Sequence, residues 1–310
     1  MIDKKKVRSL LQITGSIIGL ILIMIQIKNG ISGFNENQVE FLNVRFLLFS
    51  LLFATTALFF QILGWNKINK TVEYDIPLRN VLFGYTFTFL PRYIPGTIWG
   101  YLTRSEWLLK IHQIPYKDSM FVSLMEMIII FFTNLTLGSY LIFYSTNDLL
   151  LSFLPIFILF LSILFINLLS KRFIIINILI NNKLRKINLS SWLILLFIFF
   201  SSWLLYGIGL LYTIQAFTSI SEINPSFILL VTSIQSISWV VGFIIVFIPA
   251  GLGIRETILN YLLLNFIFLP VALSSVISIT FRLITLMAEL ILLVTSYFFQ
   301  KKVKKKLIME

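Results

Sequence analysis

Long apolar stretches, separated by short polar segments, run along almost the whole chain. A helix needs about 20 predominantly apolar residues to cross the hydrocarbon core of a membrane. Stretches near that length predict membrane-spanning helices at Leu10–Ile27, Phe41–Leu63, Ser119–Tyr144, Leu149–Leu169, Ser191–Gln215, Phe227–Ile248 and Ser274–Phe299. The pattern therefore predicts an all-α polytopic membrane protein, with residues 1–310 forming a single integral membrane domain.

Helix-breaking residues interrupt two of the apolar regions. The region Val81–Tyr101 contains two prolines and a glycine within residues 91–96, and the region Phe227–Leu269 contains a proline and two glycines within residues 249–256. Irregular backbone at membrane depth is stable only where it is buried in protein or lines a wet cavity. We predict a helix–break–helix hairpin in each region, with a binding site between the two breaks.

The positions of lysine and arginine predict the orientation in the membrane. Twenty of the 25 basic residues lie in residues 1–8, 64–80, 104–118, 170–190 and 301–306. Since basic loops stay in the cytoplasm, all five segments are expected on that side, including the basic ends 1–9 and 300–310. About six full crossings and two re-entrant hairpins that enter from opposite faces satisfy this arrangement, which is typical of inverted repeats. Two full crossings by residues 227–269 would satisfy it equally well.

Composition excludes several classes of function. The chain is 58% hydrophobic and 12% charged, and its net charge of +12 is scattered among the apolar stretches. Such scatter fits cytoplasmic loops and anionic lipids, and no nucleic-acid partner is expected. The chain has no cysteine, a single histidine and four unpaired aspartates. We therefore predict no metal site, no cofactor and no catalytic residues.

Charged residues inside the apolar regions predict the binding site. A charge at membrane depth costs a few kcal/mol or more and generally has a function. Arginine binds phosphate through its planar fork, and a helix that begins after a break exposes free N–H groups to an anion. The predicted substrate-binding residues are Arg92, Pro95, Gly96, Arg104, Glu126, Gly251, Gly253, Arg255, Glu256, Arg282 and Glu289.

Ion pairs that fasten helices together are the alternative explanation for these charges. Arg92 and Arg255 could pair with Glu126, Glu256 or Glu289. Arg282 and Glu289 are seven positions apart and share a helix face, which is expected to line the bundle interior as a polar path or as helix contacts. Glu106, near the interface, is expected to pair with Arg104 or Lys110.

Two motifs resemble a known family. The segments 91–100 (PRYIPGTIWG, with Arg104 following) and 249–256 (PAGLGIRE) resemble the motif regions of the lysylphosphatidylglycerol synthase transmembrane-region family. This family includes the flippase domain of multiple peptide resistance factors and stand-alone flippase-like proteins, and the resemblance runs from about the second span to the last. It implies movement of a lipid or lipid-linked precursor between leaflets, in envelope-lipid or surface-polysaccharide pathways. No aminoacyl transferase domain accompanies it here, so lipid aminoacylation is not expected.

The function expected from these observations is lipid translocation in the cytoplasmic membrane, without enzymatic activity. Membrane lipids with an anionic or lipid-linked headgroup are the expected partners; an envelope-biosynthesis protein or a second copy of the chain are further candidates. A membrane-embedded enzyme acting on lipid phosphates and a non-catalytic scaffold of an envelope pathway are the alternatives. The scaffold is disfavoured because it gains nothing from the cost of intramembrane charges.

Overall fold

The computed structural model describes the chain in several stretches. They are residues 4–32, 42–93, 99–146, 148, scattered positions within 154–164, 189–220, 223–245 and 248–309. The described part forms nine α-helices: α1 Lys4–Ser32, α2 Val44–Thr71, α3 Leu78–Phe87, α4 Trp99–His112, α5 Tyr116–Thr146, α6 Leu189–Phe217, α7 Pro225–Ile244, α8 Ile254–Phe266 and α9 Val271–Met309. Two short 3₁₀ turns, Leu90–Tyr93 (the first turn) and Pro249–Gly251 (the second turn), complete it.

Six of the described helices are long and apolar enough to cross a membrane. They lie within α1, α2, α5, α6, α7 and α9. The prediction of an all-α polytopic membrane protein is confirmed. The predicted span Leu149–Leu169 falls largely outside the described residues.

Several helices differ in extent from the predicted spans. Helix α2 continues to Thr71 instead of Leu63, because its polar last turns keep their helical hydrogen bonds beyond the apolar stretch. Helix α7 begins earlier, at Pro225, where proline suits the first helical position and the Asn224 side chain accepts a hydrogen bond from the Phe227 amide at 2.7 Å. Hydropathy marks the apolar core of a span, whereas caps mark its ends.

Small residues allow α2 and α6 to pack closely along their length. The Ser50 and Thr213 hydroxyls share a hydrogen bond at 2.8 Å, and Ser202 donates to the Ala57 carbonyl at 3.0 Å. Lipid tails are as apolar as leucine, so helices in a membrane associate through such close packing and interhelical hydrogen bonds.

Both predicted breaks are present and they meet. Helix α3 stops at Phe87, shortly before Pro91, which has no amide hydrogen to continue it. Helix α7 stops at Ile244, and α8 restarts after Gly253. The first and second turns contact each other, so both interruptions of the helical bundle lie side by side in the described structure.

Helix α9 touches both halves of this arrangement. It packs against α1, α2, α3 and α8. Its N-terminal half lies near the second turn, where the Arg282 Nη2 donates to the Ala250 carbonyl at 3.4 Å. Two helical turns further along α9, the Glu289 carboxylate accepts a hydrogen bond from the hydroxyl of Tyr93, in the first turn, at 3.0 Å. A single helix therefore links the two breaks.

Helix α1 packs on the second break and on α9. A Cβ atom on Gly19 would lie 2.8 Å from the Leu252 carbonyl oxygen, so the backbones approach closely. Further along α1, the buried Gln26 Oε1 accepts from Asn260 at 2.6 Å and from Ser275 at 2.9 Å. Its amide donates to the Thr257 hydroxyl at 3.3 Å. This buried polar cluster ties α1 to α8 and α9.

Candidate functional site

The second turn and the residues that flank the first turn border one partly open cavity of about 120 Å³, large enough for several water molecules. Helices α2 to α9 all contribute to its wall. Its lining includes six of the predicted site residues, namely Arg104, Glu126, Arg255, Glu256, Arg282 and Glu289. Residues that are up to 185 positions apart in the chain thus face the same space.

The remaining predicted residues fall in the breaks themselves. Arg92 belongs to the first turn, but its side chain lies outside the described part of the structure, as do Pro95 and Gly96. Gly251 and Gly253 have φ angles of 67° and 81°, the left-handed region that glycine adopts without steric cost. A Cβ atom on Gly251 would also lie 2.9 Å from the Arg255 Nε. The second break therefore requires glycine at both positions.

Arg104 and Glu126 form a buried, hydrogen-bonded ion pair in the wall of the cavity. The Arg104 Nη1 donates to Glu126 Oε2, and its Nε donates to the Thr88 hydroxyl at 3.2 Å. The Tyr85 hydroxyl donates to Glu126 Oε1 at 2.6 Å, while the guanidinium carbon lies 3.8 Å from the centroid of the Tyr85 ring. The Arg104 and Glu126 side chains are only 5% and 1% exposed. This pair fastens α3, α4 and α5 together.

The sequence predicts Arg104 or Lys110 as the partner of Glu106, and the structure shows Lys110, whose Nζ lies 3.5 Å from the Glu106 carboxylate on an exposed face. Arg104 pairs with Glu126 instead. Burial is the reason, since a guanidinium inside the bundle needs a carboxylate that is also inside it.

Arg282 and Glu256 form a second ion pair that is held much less tightly. The Arg282 Nε lies 3.2 Å from Glu256 Oε1, close enough for an ion pair. The N–H does not point at the oxygen, however, and neither atom has a hydrogen-bond partner among the described residues. The guanidinium also donates a 3.4 Å hydrogen bond to the Ala250 carbonyl. The geometry leaves this pair with unused hydrogen-bonding capacity inside the cavity.

Glu256 also caps helix α8. Its Oε2 accepts a hydrogen bond from the Gly253 amide at 2.6 Å, which satisfies an N–H group at the start of α8 that has no partner within the helix. The sequence predicts a bound anion at this helix N-terminus. The structure places a carboxylate of the chain itself there.

Arg255 lies along an aromatic wall of the cavity. Its guanidinium carbon is 5.5 Å from the centroid of the Trp239 ring, a cation–π distance. The Trp239 ring stacks on Phe243 at 4.9 Å and meets Trp203 edge-on at 5.2 Å. The Arg255 side chain runs over Gly242 of α7, with no room for a side chain at that position.

Sequence reasoning missed the uncharged polar lining. Gln61, Tyr85, Thr88, Gln235 and Ser238 border the cavity. Glutamine within an apolar span was the available signal for Gln61 and Gln235. Nothing local distinguishes Tyr85 from the other tyrosines, because its role arises from contact with Arg104 and Glu126 on other helices.

The described fold and site define a polytopic α-helical membrane domain with two adjoining helix breaks and a charged internal cavity. Among the described residues, no group of three or more His, Cys, Asp or Glu could hold a metal ion. The chain belongs to the lysylphosphatidylglycerol synthase transmembrane-region family, whose model matches residues 12–292. No curated protein matches the chain.

Proposed function

We propose that the protein moves a lipid or a lipid-linked precursor between the two membrane leaflets. The observation that carries the proposal is the meeting of both breaks at one cavity lined by three arginines and three glutamates. The anionic headgroup enters this cavity, and the apolar tails remain in the bilayer.

The energetic cost of the cavity supports a transport role. Each buried charge is unfavourable unless it is paired. Three arginines and three glutamates in one cavity therefore cost more free energy than a domain that only spans the membrane would need to spend. Arginine side chains, rather than the capped N-terminus of α8, are the groups that bind the headgroup in this proposal. Their planar forks match the oxygens of a phosphate.

We also propose that no covalent chemistry takes place. Glu126 contacts Arg104, Glu256 contacts Arg282, and Glu289 accepts a hydrogen bond from Tyr93. A carboxylate that is held by an arginine is a weak general base. Membrane lipids are the only partner that the mechanism requires.

The proposed topology places the chain in the cytoplasmic membrane with both termini in the cytoplasm. Each break belongs to a re-entrant hairpin, and the two hairpins enter from opposite faces. Helix α8, with 13 residues, spans about 20 Å and is too short to cross the hydrocarbon core by itself, which supports re-entry of the second hairpin.

A leaflet-sidedness assay tests the function. The purified protein is placed in liposomes with fluorescent phosphatidylglycerol, aminoacyl-phosphatidylglycerol or undecaprenyl phosphate, and a membrane-impermeant quencher reports the outer leaflet. Faster exchange of one lipid class is expected, and it should be lost with Arg255→Ala/Glu256→Ala but kept with the exposed Lys110→Ala. Folded protein that accelerates none of the lipids would overturn the proposal.

A further inference from the structure

The two arginine–glutamate pairs of the cavity are built differently. In the Arg104–Glu126 pair, the guanidinium has a carboxylate, a hydroxyl and an aromatic face as partners. In the Arg282–Glu256 pair, the facing Nε and Oε1 atoms have no hydrogen bond to any residue in the described part of the chain. Leaving buried polar atoms without hydrogen bonds is unfavourable, whereas a fully engaged pair is costly to open. A ligand therefore gains more binding free energy from a contact with Arg282 than from a contact with Arg104.

Arg282 is also the more accessible of the two arginines. Its side chain is 15% exposed, against 5% for Arg104. Glu256 cannot follow if the pair opens, because its other oxygen caps the Gly253 amide at 2.6 Å. The group that is free to turn toward a ligand is therefore the Arg282 guanidinium.

Arg255 and Arg282 converge on the same turn. The Arg282 Nη2 contacts the Ala250 carbonyl, and the Arg255 Nε lies against the adjacent Gly251. Two guanidinium groups beside one turn supply several N–H donors for the oxygens of a phosphate.

The carboxylates that stay in the cavity limit the charge of the ligand. Glu256 remains at the helix N-terminus after the pair opens, and Glu289 lines the same cavity from α9. A second negative charge on the ligand would be repelled by these carboxylates. A phosphodiester carries one negative charge near neutral pH, whereas a phosphomonoester carries up to two.

We propose that the Arg282–Glu256 pair opens to bind a singly charged phosphodiester headgroup, whereas the Arg104–Glu126 pair stays closed and holds the fold. The proposed function supplies the premise that the ligand is a lipid headgroup. The assignment of the two pairs adds the binding point and the charge class of the substrate.

Equilibrium binding by two matched, charge-neutral double variants tests the assignment. Wild-type protein, Arg282→Gln/Glu256→Gln and Arg104→Gln/Glu126→Gln are purified in a non-ionic maltoside detergent, which carries no phosphate, and titrated with short-chain phosphatidylglycerol. We expect the first variant to weaken binding by roughly tenfold or more, since it removes a charge-assisted contact. The second variant should lower Tm and leave Kd within about twofold of wild type.

A single variant provides a test with the opposite sign. Glu256→Gln keeps an oxygen for the Gly253 amide but no longer competes for Arg282. Phosphatidylglycerol should then bind about threefold or more tightly than to wild type. Weaker or unchanged binding by a variant with wild-type Tm would overturn the opening of this pair.

Three further ligands separate the remaining explanations. Short-chain phosphatidic acid, a phosphomonoester, should bind roughly tenfold more weakly than phosphatidylglycerol; equal binding would refute the charge selection. Glycerophosphoglycerol and inorganic phosphate lack acyl chains and should not compete at equal concentration; effective competition by either would identify a soluble ligand instead of a lipid.

If binding follows the expected pattern without transbilayer movement, the assignment stands and translocation fails. If movement occurs and Arg282→Gln/Glu256→Gln binds like wild type, translocation stands and the assignment fails.

Discussion

The side chain of Arg255 occupies the space that any side chain at Gly242 would fill. A Cβ atom built on Gly242 lies 2.4 Å from the Arg255 Cγ and 3.0 Å from its Nε. Helix α7 thus leaves a gap through which a residue of α8 reaches the cavity. The position of this guanidinium depends on a residue that is 13 positions away in the chain.

Gly242→Ala should therefore displace Arg255 and reduce headgroup binding and lipid movement by about tenfold. The added methyl group overpacks the contact at a cost of about 1–3 kcal/mol, partly offset by about 1 kcal/mol from the better helix propensity of alanine. A flippase assay and a thermal unfolding scan of the purified variant provide the measurements. Gly30→Ala is the control, because its Cβ would meet only the Val276 side chain at 3.3 Å. Wild-type movement by Gly242→Ala would show that the Arg255 position does not matter.

Arg104→Gln should lower the free energy of unfolding by about 3–5 kcal/mol, since it leaves Glu126 buried without its cation. Adding Glu126→Gln should recover much of this loss, because the amide oxygen can still accept from Tyr85 and no lone charge remains. Unfolding in detergent, followed by intrinsic fluorescence, compares the two variants. Equal stability of the single and double variants would contradict a structural ion pair.

The absence of cysteine makes the topology of the second hairpin directly measurable. Ile223 precedes α7 and Phe268 follows α8, with 50% and 84% of their surface exposed. Single cysteines at both positions should react with an impermeant maleimide added outside intact cells. A cysteine at Lys110, on an exposed face of α4, should react only after permeabilisation. Labelling of positions 223 and 268 from opposite sides would rule out a hairpin that returns to its starting face.

Gln26→Leu should destabilise the packing of α1 against α8 and α9 by about 1–3 kcal/mol. The Asn260 amide and the Ser275 hydroxyl both donate to Gln26 Oε1, and the substitution removes this buried acceptor. Thermal unfolding measures the effect, with the exposed Ile25→Leu as the control. A change in Tm no larger than that of the control would mean that the cluster contributes little to stability.

Local chemistry explains why much of the architecture was predictable. Whether a stretch such as Ser191–Gln215 prefers the membrane depends on the summed transfer free energy of its own residues. A proline such as Pro91 interrupts a helix wherever the chain places it. Six of the seven apolar spans, both breaks and the family resemblance could therefore be recognised from the sequence, and the structure and the family match agree with them.

The helix ends and the pairing of the charges were less predictable. Helix α2 extends past its apolar core because hydrogen bonds continue where hydropathy falls. Sequence alone left Glu126 and Glu256 with several candidate arginines. Their partners depend on the distances between helices that are remote in the chain, and no local property of a residue encodes those distances.

The residues of the chain alone identify a membrane domain with two broken helical regions and a set of intramembrane charges. The packing of the helices sets the partners of those charges: Arg104 pairs with Glu126, Arg282 faces Glu256, and Glu256 caps its own helix. This difference arises because burial is a property of each segment, whereas an ion pair requires two groups within about 4 Å after the whole bundle has packed.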